Sequence, residues 1–292
     1  MEKIQVLDVH QFYNENEDNF FYSNTLQKHI AEYHKDISIP HKHNFYLCVL
    51  FTKGKGLHEI DFATYPVMRG SLFFMNPGQT HHWTLSDDVE GYIFFHSKPF
   101  YELYFLHKTL SNYPFYYSTK NIPFIALNET DITIVLPFFK TIQKEYLIID
   151  EVFKQDKIRN LIDLTYIELT RIYTKFNLIK VSKTNLYSEK IKELEVLVEK
   201  HFVTLKNASD YAELMHISTK HLNRITQTVL GKTTTEIITD RIILEAKRMF
   251  FYTHNSLTNV AIELGYEDYA YFSRLFKKKN GESPSDFIKR YK

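Results

Sequence analysis

Two stretches of this 292-residue chain repeat one spacing of small and apolar residues, the spacing that lets two short helices cross around a tight turn. With Ala208 as position one, the inward positions four, five, eight, ten, fifteen and eighteen are Tyr211, Ala212, Met215, Ile217, Leu222 and Ile225. The small Ala212 permits close approach of the two helices, and the larger residues form their shared core. Ser218 is placed to cap a second helix ending near Val229, whose outward residues are Thr219, Lys220, Asn223, Arg224 and Gln227. Such side chains donate hydrogen bonds to base edges and phosphates. The second stretch carries Val260, Ala261, Leu264, Gly265 and Tyr266, then Phe272 and Leu275, with one residue added in the turn. Gly265 suits a turn position of positive φ. His216 stands at the equivalent place in the first stretch, which predicts either a left-handed histidine or a differently shaped turn. Asp268 caps the second outward helix, which offers Tyr269, Tyr271, Ser273, Arg274, Lys277 and Lys278.

Between the two stretches, TTTEIITDRIILEAKRMFF, from Thr233 to Phe251, reads as one amphipathic helix with Ile237, Ile238, Ile242, Leu244 or Glu245, Met249 and Phe250 near one side. Thr233 and Glu236 supply a capping box. Eighteen or so residues of helix span roughly 27 Å, enough to hold two recognition helices about one DNA turn apart. A single such motif is equally well read as a helical bundle core, whereas two copies and a connecting helix favour sequence-specific DNA binding.

The segments EAKRMF, Glu245 to Phe250, and GYEDYAYFSRLFKKKNGESPSDF, Gly265 to Phe287, resemble the AraC/XylS family of bacterial transcription regulators. The resemblance extends over roughly residues 191–291 and takes in Ala212 and Leu222. It implies an all-α DNA-binding domain of about seven helices joined to a separate sensing or dimerising domain.

Charge and composition fit a two-domain chain. Residues 185–292 hold 17 Lys and Arg against 14 Asp and Glu, a net of +3, and the preceding residues a net of −2. So modest an excess excludes a generally basic nucleic-acid binder and predicts a local field, chiefly Arg274, Lys277, Lys278 and Lys279, with weak non-specific affinity. Aromatics, with 24 Phe and 21 Tyr, are concentrated before residue 185 and favour strands there. The single Cys48 lies in the apolar run FYLCVLF, which predicts a buried structural thiol and suits a reducing cytoplasm. No run approaches the length of a membrane span, and MEKIQVLDVH lacks a signal-peptide core; no membrane association is expected.

Residues 1–125 read as short strands with turn punctuation: FYLCVLF, KGKG, LHEIDF, MRG, SLFFM, NPGQ, HHWTL and GYIFF. An antiparallel β-barrel or sandwich is predicted. IPHKHNF, Ile39 to Phe45, the turn at Lys53 to Gly56, and RGSLFFMNPGQTHHW, Arg69 to Trp83, look like the cupin-type effector domain common in AraC relatives. His41 and His43 alternate onto one strand face and His81 follows a Pro-Gly turn, so three imidazoles can converge on a metal. The carboxylate that a metal-binding cupin adds a few residues later is replaced by Leu47 and Cys48. No metal and no cofactor are therefore expected, and His41, His43, His58, Arg69, His81 and Trp83 are the candidate walls of a small-effector site.

Residues 126–179 read as helical, interrupted near Pro137, with Ile158, Leu161, Ile162, Thr165, Leu169, Ile172 and Phe176 recurring at three and four residues. This stripe packs either on its own barrel or against a second subunit, and the resemblance implies the latter, with Ile158, Ile162, Thr165, Leu169 and Ile172 as the dimerisation contact. A linker is expected at 180–186, followed by a DNA-binding domain at 187–292: first helix-turn-helix about 208–229, connecting helix about 234–251, second about 257–279. The fold class is thus multidomain α+β. The predicted function is a non-enzymatic, cytoplasmic, homodimeric transcription regulator, activation being the expected sense of control, with promoter DNA, RNA polymerase and a small effector as partners. Thr219, Lys220, Asn223 and Arg224 would enter one major groove and Tyr271, Arg274 and neighbours the next, with Ser218, Lys247, Lys277 and Lys278 nearer phosphates and Gln227, Tyr269 and Ser273 completing the DNA-binding set. Two competing readings are a metal-dependent cupin enzyme with a regulatory helical tail, and an interaction protein that docks RNA polymerase without reading bases.

Overall fold

A computed structural model describes residues 5–12, 20–37, 39–105, 108–117, 122–149, 151–176, 186–252 and 255–291. The chain divides into two compact units, one within residues 5–181 and one within 182–292. The expected linker at 180–186 falls outside the described residues except for Leu186, which begins a helix.

The N-terminal unit runs β1 (Val6–Leu7), β2 (Phe21–Thr25), α1 (Leu26–Ile37), β3 (Lys42–His43), β4 (Tyr46–Lys53), β5 (Gly56–Ile60), β6 (Ala63–Val67), β7 (Ser71–Met75), β8 (His81–Leu85), β9 (Glu90–His96), α2 (Lys98–Glu102), α3 (Pro114–Tyr117), β10 (Phe124–Ala126), α4 (Glu129–Leu147) and α5 (Lys154–Phe176). Its five-stranded sheet has the order β10-β7-β4-β9-β2, and a three-stranded sheet the order β6-β5-β8. In the central strand β4, Val49 pairs with Phe73 and Ile93 across antiparallel ladders. Alternation then sends Leu47, Val49 and Phe51 to a core shared with Ile60, Val67 and Trp83 of the smaller sheet. Cys48 and Leu50 go to the opposite core with Leu72, Phe74 and Phe94. Both faces are covered, which is why FYLCVLF is apolar without alternation. The predicted barrel is realised as two facing sheets that remain separate hydrogen-bonded sets among the described residues.

The second face of the large sheet needs an apolar cover, and α4 and α5 supply it. Ile132, Val135, Phe139 and Ile142 of α4 join Ile158, Ile162 and Leu169 of α5 in that core. This corrects the expected dimerisation contact: Ile158, Ile162, Thr165, Leu169 and Ile172 are all buried within their own unit. It also moves the expected break in the helical segment, because α4 runs through Pro137 and the interruption comes after Leu147. Many of the surplus aromatics pack here, with their hydroxyls paired. Tyr101 and Tyr113 donate to Asp163 at 2.7 and 2.6 Å, and Tyr116 donates to the Leu47 carbonyl at 3.1 Å.

The C-terminal unit has seven helices among its described residues: α6 (Leu186–His201), α7 (Ala208–Leu214), α8 (Thr219–Leu230), α9 (Thr234–Tyr252), α10 (Leu257–Glu263), α11 (Tyr269–Asn280) and α12 (Pro284–Tyr291). The caps read from the sequence form. Ser218 Oγ accepts from His221 N, Asp268 Oδ1 from Ala270 N, and Thr233 and Glu236 bond reciprocally. Tyr211, Ala212, Met215, Leu222 and Ile225 are buried, as are Val260, Ala261, Leu264 and Phe272; Ile217 and Leu275 are half-buried, and Phe276 takes the last inward place of the second unit.

The two turns are bonded alike. Met215, His216 and Ile217 donate to the carbonyls of Tyr211, Glu213 and Ala212, and Leu264, Gly265 and Tyr266 donate to those of Val260, Ile262 and Ala261. His216 adopts φ +53 and Gly265 φ +79, so the first of the two options for His216 holds. Asparagine, aspartate and histidine enter this region more readily than other side chains. Glycine at 265 answers a second demand, since a Cβ there would lie 2.2 Å from the Val203 carbonyl oxygen.

Candidate nucleic-acid interface and histidine core

On α8, Lys220, Arg224 and Gln227 recur at four and three residues and are exposed together, with Ser218 exposed at the cap and Thr219 half-buried. Asn223 departs from its expected place among them. Its Oδ1 accepts the Thr234 amide of α9 at 3.0 Å, which satisfies an orphan donor at a helix N-terminus. Asn223 therefore ties α8 to the connecting helix instead of offering a whole carboxamide to a base.

On α11, Tyr271, Arg274, Lys277 and Lys278 are exposed, and Tyr269 and Ser273 are half-buried. Lys279, counted in the positive field by sequence, turns to α9, where its Nζ lies 3.4 Å from Asp240 and 3.8 Å from Glu236. Lys247 is half-buried with Nζ 5.7 Å from the centre of the Phe287 ring, so it packs against α12 by its cation. The charges of this unit are thus sorted. Lys190, Lys232, Arg241, Arg248 and Lys279 are each ion-paired, whereas among the described residues Lys220, Arg224, Arg274, Lys277 and Lys278 have no carboxylate within 4.0 Å. A net charge of +3 becomes a usable field because five of the cations without an ion pair among the described residues stand on the two outward helices.

In the N-terminal unit, five of the six candidate effector residues come together between the sheets. His41, His43, His58 and His81 are no more than 2% exposed, and Trp83 is 8% exposed. The His81 ring lies 4.4 Å from His41, 5.1 Å from His43 and His58, and 5.3 Å from Trp83, centre to centre. His41 Nδ1 donates to the Ile39 carbonyl and His43 Nδ1 to the Phe45 carbonyl, which fixes both as Nδ1–H tautomers. His58 Nε2 and His81 Nδ1 share a hydrogen bond of 2.9 Å. Among the described residues, His43 Nε2, His58 Nδ1, His81 Nε2, Thr80 Oγ1 and Trp83 Nε1 are buried without a hydrogen-bond partner. Burial, followed by repulsion from neighbouring histidines, pushes His43 down to about 3 and lowers His58 and His81 well below the ordinary histidine value. His43, His58 and His81 are therefore neutral at physiological pH.

Arg69 does not join it. Its guanidinium is exposed, pairs with Glu129 through two bonds of 2.8 Å, and donates to the Thr52 carbonyl. Among the described residues no group of three or more His, Cys, Asp or Glu side chains is arranged to hold a metal ion. The histidine rings pack against one another and against Phe45 and Phe73, aromatic neighbours that the sequence did not single out. Among the described residues no helix is long and apolar enough to cross a membrane.

Residues 24–99, which hold the histidine core, match the AraC-like ligand binding domain, and residues 211–290, which hold both outward helices, match a helix-turn-helix domain. The chain is 22% identical over 257 residues to the uncharacterized HTH-type transcriptional regulator YfiF of Bacillus subtilis (strain 168), covering 87% of this chain and 80% of that one. It is 23% identical over 262 residues to the HTH-type transcriptional activator RhaR of Enterobacter sp. (strain 638), covering 86% and 87%. Among solved structures, ToxT from Vibrio cholerae aligns over 92% of this chain and 97% of its own, at 14% identity and a TM-score of 0.42. With a ligand-binding domain of the AraC type followed by the matching helix-turn-helix domain, and relatives along nearly its whole length that are transcription regulators, the chain belongs to the AraC family of DNA-binding transcription regulators.

Proposed function

We propose that each chain reads two successive major grooves of promoter DNA, α8 in one and α11 in the next. The observation that carries this reading is the pair of identically bonded turns, each followed by a helix bearing unpaired cations, joined through a 19-residue helix. At 1.5 Å per residue α9 is roughly 28 Å long, close to one turn of B-DNA. Lys220, Arg224 and Gln227 face base edges from α8, and Tyr271 and Arg274 from α11; Ser218, Lys277 and Lys278 contact phosphates. Selection of bound duplexes from a random pool with the full-length chain should enrich two sequence blocks about one turn apart, with a salt slope of about −3 to −5 in log affinity against log salt. Arg224→Ala should cost about 1–3 kcal/mol and relax one position of the first block, whereas Asn223→Ala should lower stability by about 1 kcal/mol without altering base preference. Equal loss on every duplex after Arg224→Ala would refute base reading by α8.

The histidine core is proposed as the effector site, its unpartnered nitrogens supplying hydrogen bonds to a small polar molecule, so that the N-terminal unit regulates and does not catalyse. Promoter DNA in a bacterial cytoplasm, with RNA polymerase as partner and activation as outcome, completes this reading. The dimer contact is assigned to the turn between α4 and α5, where Leu147, Ile149, Val152 and Phe153 are 59%, 79%, 74% and 76% exposed, and Phe153 is held at φ +58. Contiguous exposed apolar side chains of this kind mark association surfaces. Phe153→Asp should shift the full chain from dimer to monomer in sedimentation equilibrium, and a wild-type monomer at all concentrations would rule the contact out.

A further inference from the structure

Lys206 lies in the short connection between α6 and α7, where sequence offers only one more surface lysine. In the fold its Nζ donates to three main-chain carbonyls: Phe202 at 2.6 Å, Val203 at 2.9 Å and Leu264 at 2.6 Å. Three acceptors use all three protons of an ammonium group. The same nitrogen stands 4.9 Å from the centre of the Tyr266 ring, a favourable cation–π distance. Two of these carbonyls follow α6, which leads into the first helix-turn-helix. The third carbonyl and the ring flank Gly265, in the turn of the second. The two backbones meet there, since a Cβ on Gly265 would fall 2.2 Å from Val203 O and 3.3 Å from Lys206 Nζ. Leu264 O is one of the carbonyls left over where α10 ends, and Lys206 satisfies it from the other unit.

We propose that Lys206 is a positioning residue for DNA recognition: by clasping the second turn to the end of α6, it fixes the separation of the two outward helices and hence the spacing of DNA blocks the protein accepts. This inference rests on the two-groove reading above. α9 joins the two motifs along the chain, with Asn223 and Lys279 fastening the outward helices to it; the clasp adds a direct attachment between the end of α6 and the second turn. Linked modules gain affinity only when their geometry matches the target, so stiffening the join sharpens the preference for one spacing.

The test uses the full chain and duplexes carrying the two selected blocks at the preferred spacing and at one and two base pairs more or fewer. Wild type should prefer its best spacing by about tenfold or more. Lys206→Met, which keeps the aliphatic stem and removes every donor, should bind that duplex about tenfold more weakly and flatten the preference to within about threefold, while Lys206→Arg restores most of it. Melting curves taken alongside report folding separately. A uniform loss at every spacing, or an unchanged preference in Lys206→Met, overturns the clasp. If wild type itself shows no spacing preference, the two-groove reading falls and the clasp with it, an outcome distinct from failure of Lys206 alone.

Discussion

Acidification from pH 7.5 to 4.5 should unfold the N-terminal unit before the helical one. Burial pushes His29 and His43 down to about 3 and His96 to about 4, and lowers His58 and His81 well below 6.5. Because the folded values lie below the unfolded one, the unfolded chain binds more protons throughout that interval. The contribution of these groups is therefore complete above pH 6.5 and is lost as pH falls, at about 1.4 kcal/mol per unit for each histidine. Five such groups would remove up to about 7 kcal/mol by pH 5.5, comparable with the whole stability of an ordinary domain. In the helical unit Glu199, Glu236 and Asp286 are held below their usual range by Arg241, Thr233 and Ser283 respectively, and those contributions decline only below about 4.5. The chain has a single tryptophan, Trp83, whose ring lies 5.3 Å from both His58 and His81. Its emission should shift to the red with a midpoint above pH 5, while far-ultraviolet circular dichroism loses the share of helical signal that α1, α4 and α5 supply and keeps that of α6 to α12. Unshifted emission down to pH 4 would show that the histidines do not share the burial argued for them.

Replacing Arg248 should be among the most damaging single changes in the helical unit. Its side chain is 2% exposed and donates to Glu245 at 3.0 Å. Glu245 also accepts from Arg241 at 3.0 Å, and Arg241 reaches Glu199 of α6 through bonds of 2.6 and 2.8 Å. The Arg241 guanidinium further stands 4.1 Å from the Phe202 ring. Arg248→Ala would leave a cavity in place of a buried side chain and withdraw one of the two guanidinium groups that bond Glu245 Oε2, at a cost of about 2–5 kcal/mol. Thermal melts of the full chain, with the Trp83 signal separating the N-terminal transition, check this. A loss under 1 kcal/mol would mean that the network contributes little. Because α9 carries both outward helices, DNA binding should fail at temperatures where wild type still binds.

Local patterns were legible in the sequence wherever they concern residues close along the chain. The repeated turn, its caps and the inward residues follow from spacing alone, and the structure adds the extra residue before Asp268 where expected. Strand patterning likewise gathered five of the six candidate effector residues. Partners distant in sequence were not legible. Arg69 is drawn away by Glu129, sixty positions later, and Asn223 by an amide that faces it only once α9 has packed. Periodicity in α5 identified the apolar stripe correctly but is silent on what covers it; the second face of the large sheet does. Lys206 was invisible for the same reason, since carbonyls have no sequence signature.

The duplicated turns also have a direction of exchange. His216 is exposed in the first turn, whereas at the equivalent place of the second a Cβ on Gly265 would lie 2.2 Å from the Val203 carbonyl oxygen. A chimera carrying the glycine turn in first place is sterically permitted, while the reciprocal graft drives a β-carbon into Val203. Packing around the turn, and not the turn's own bonding, decides which of the two can be exchanged.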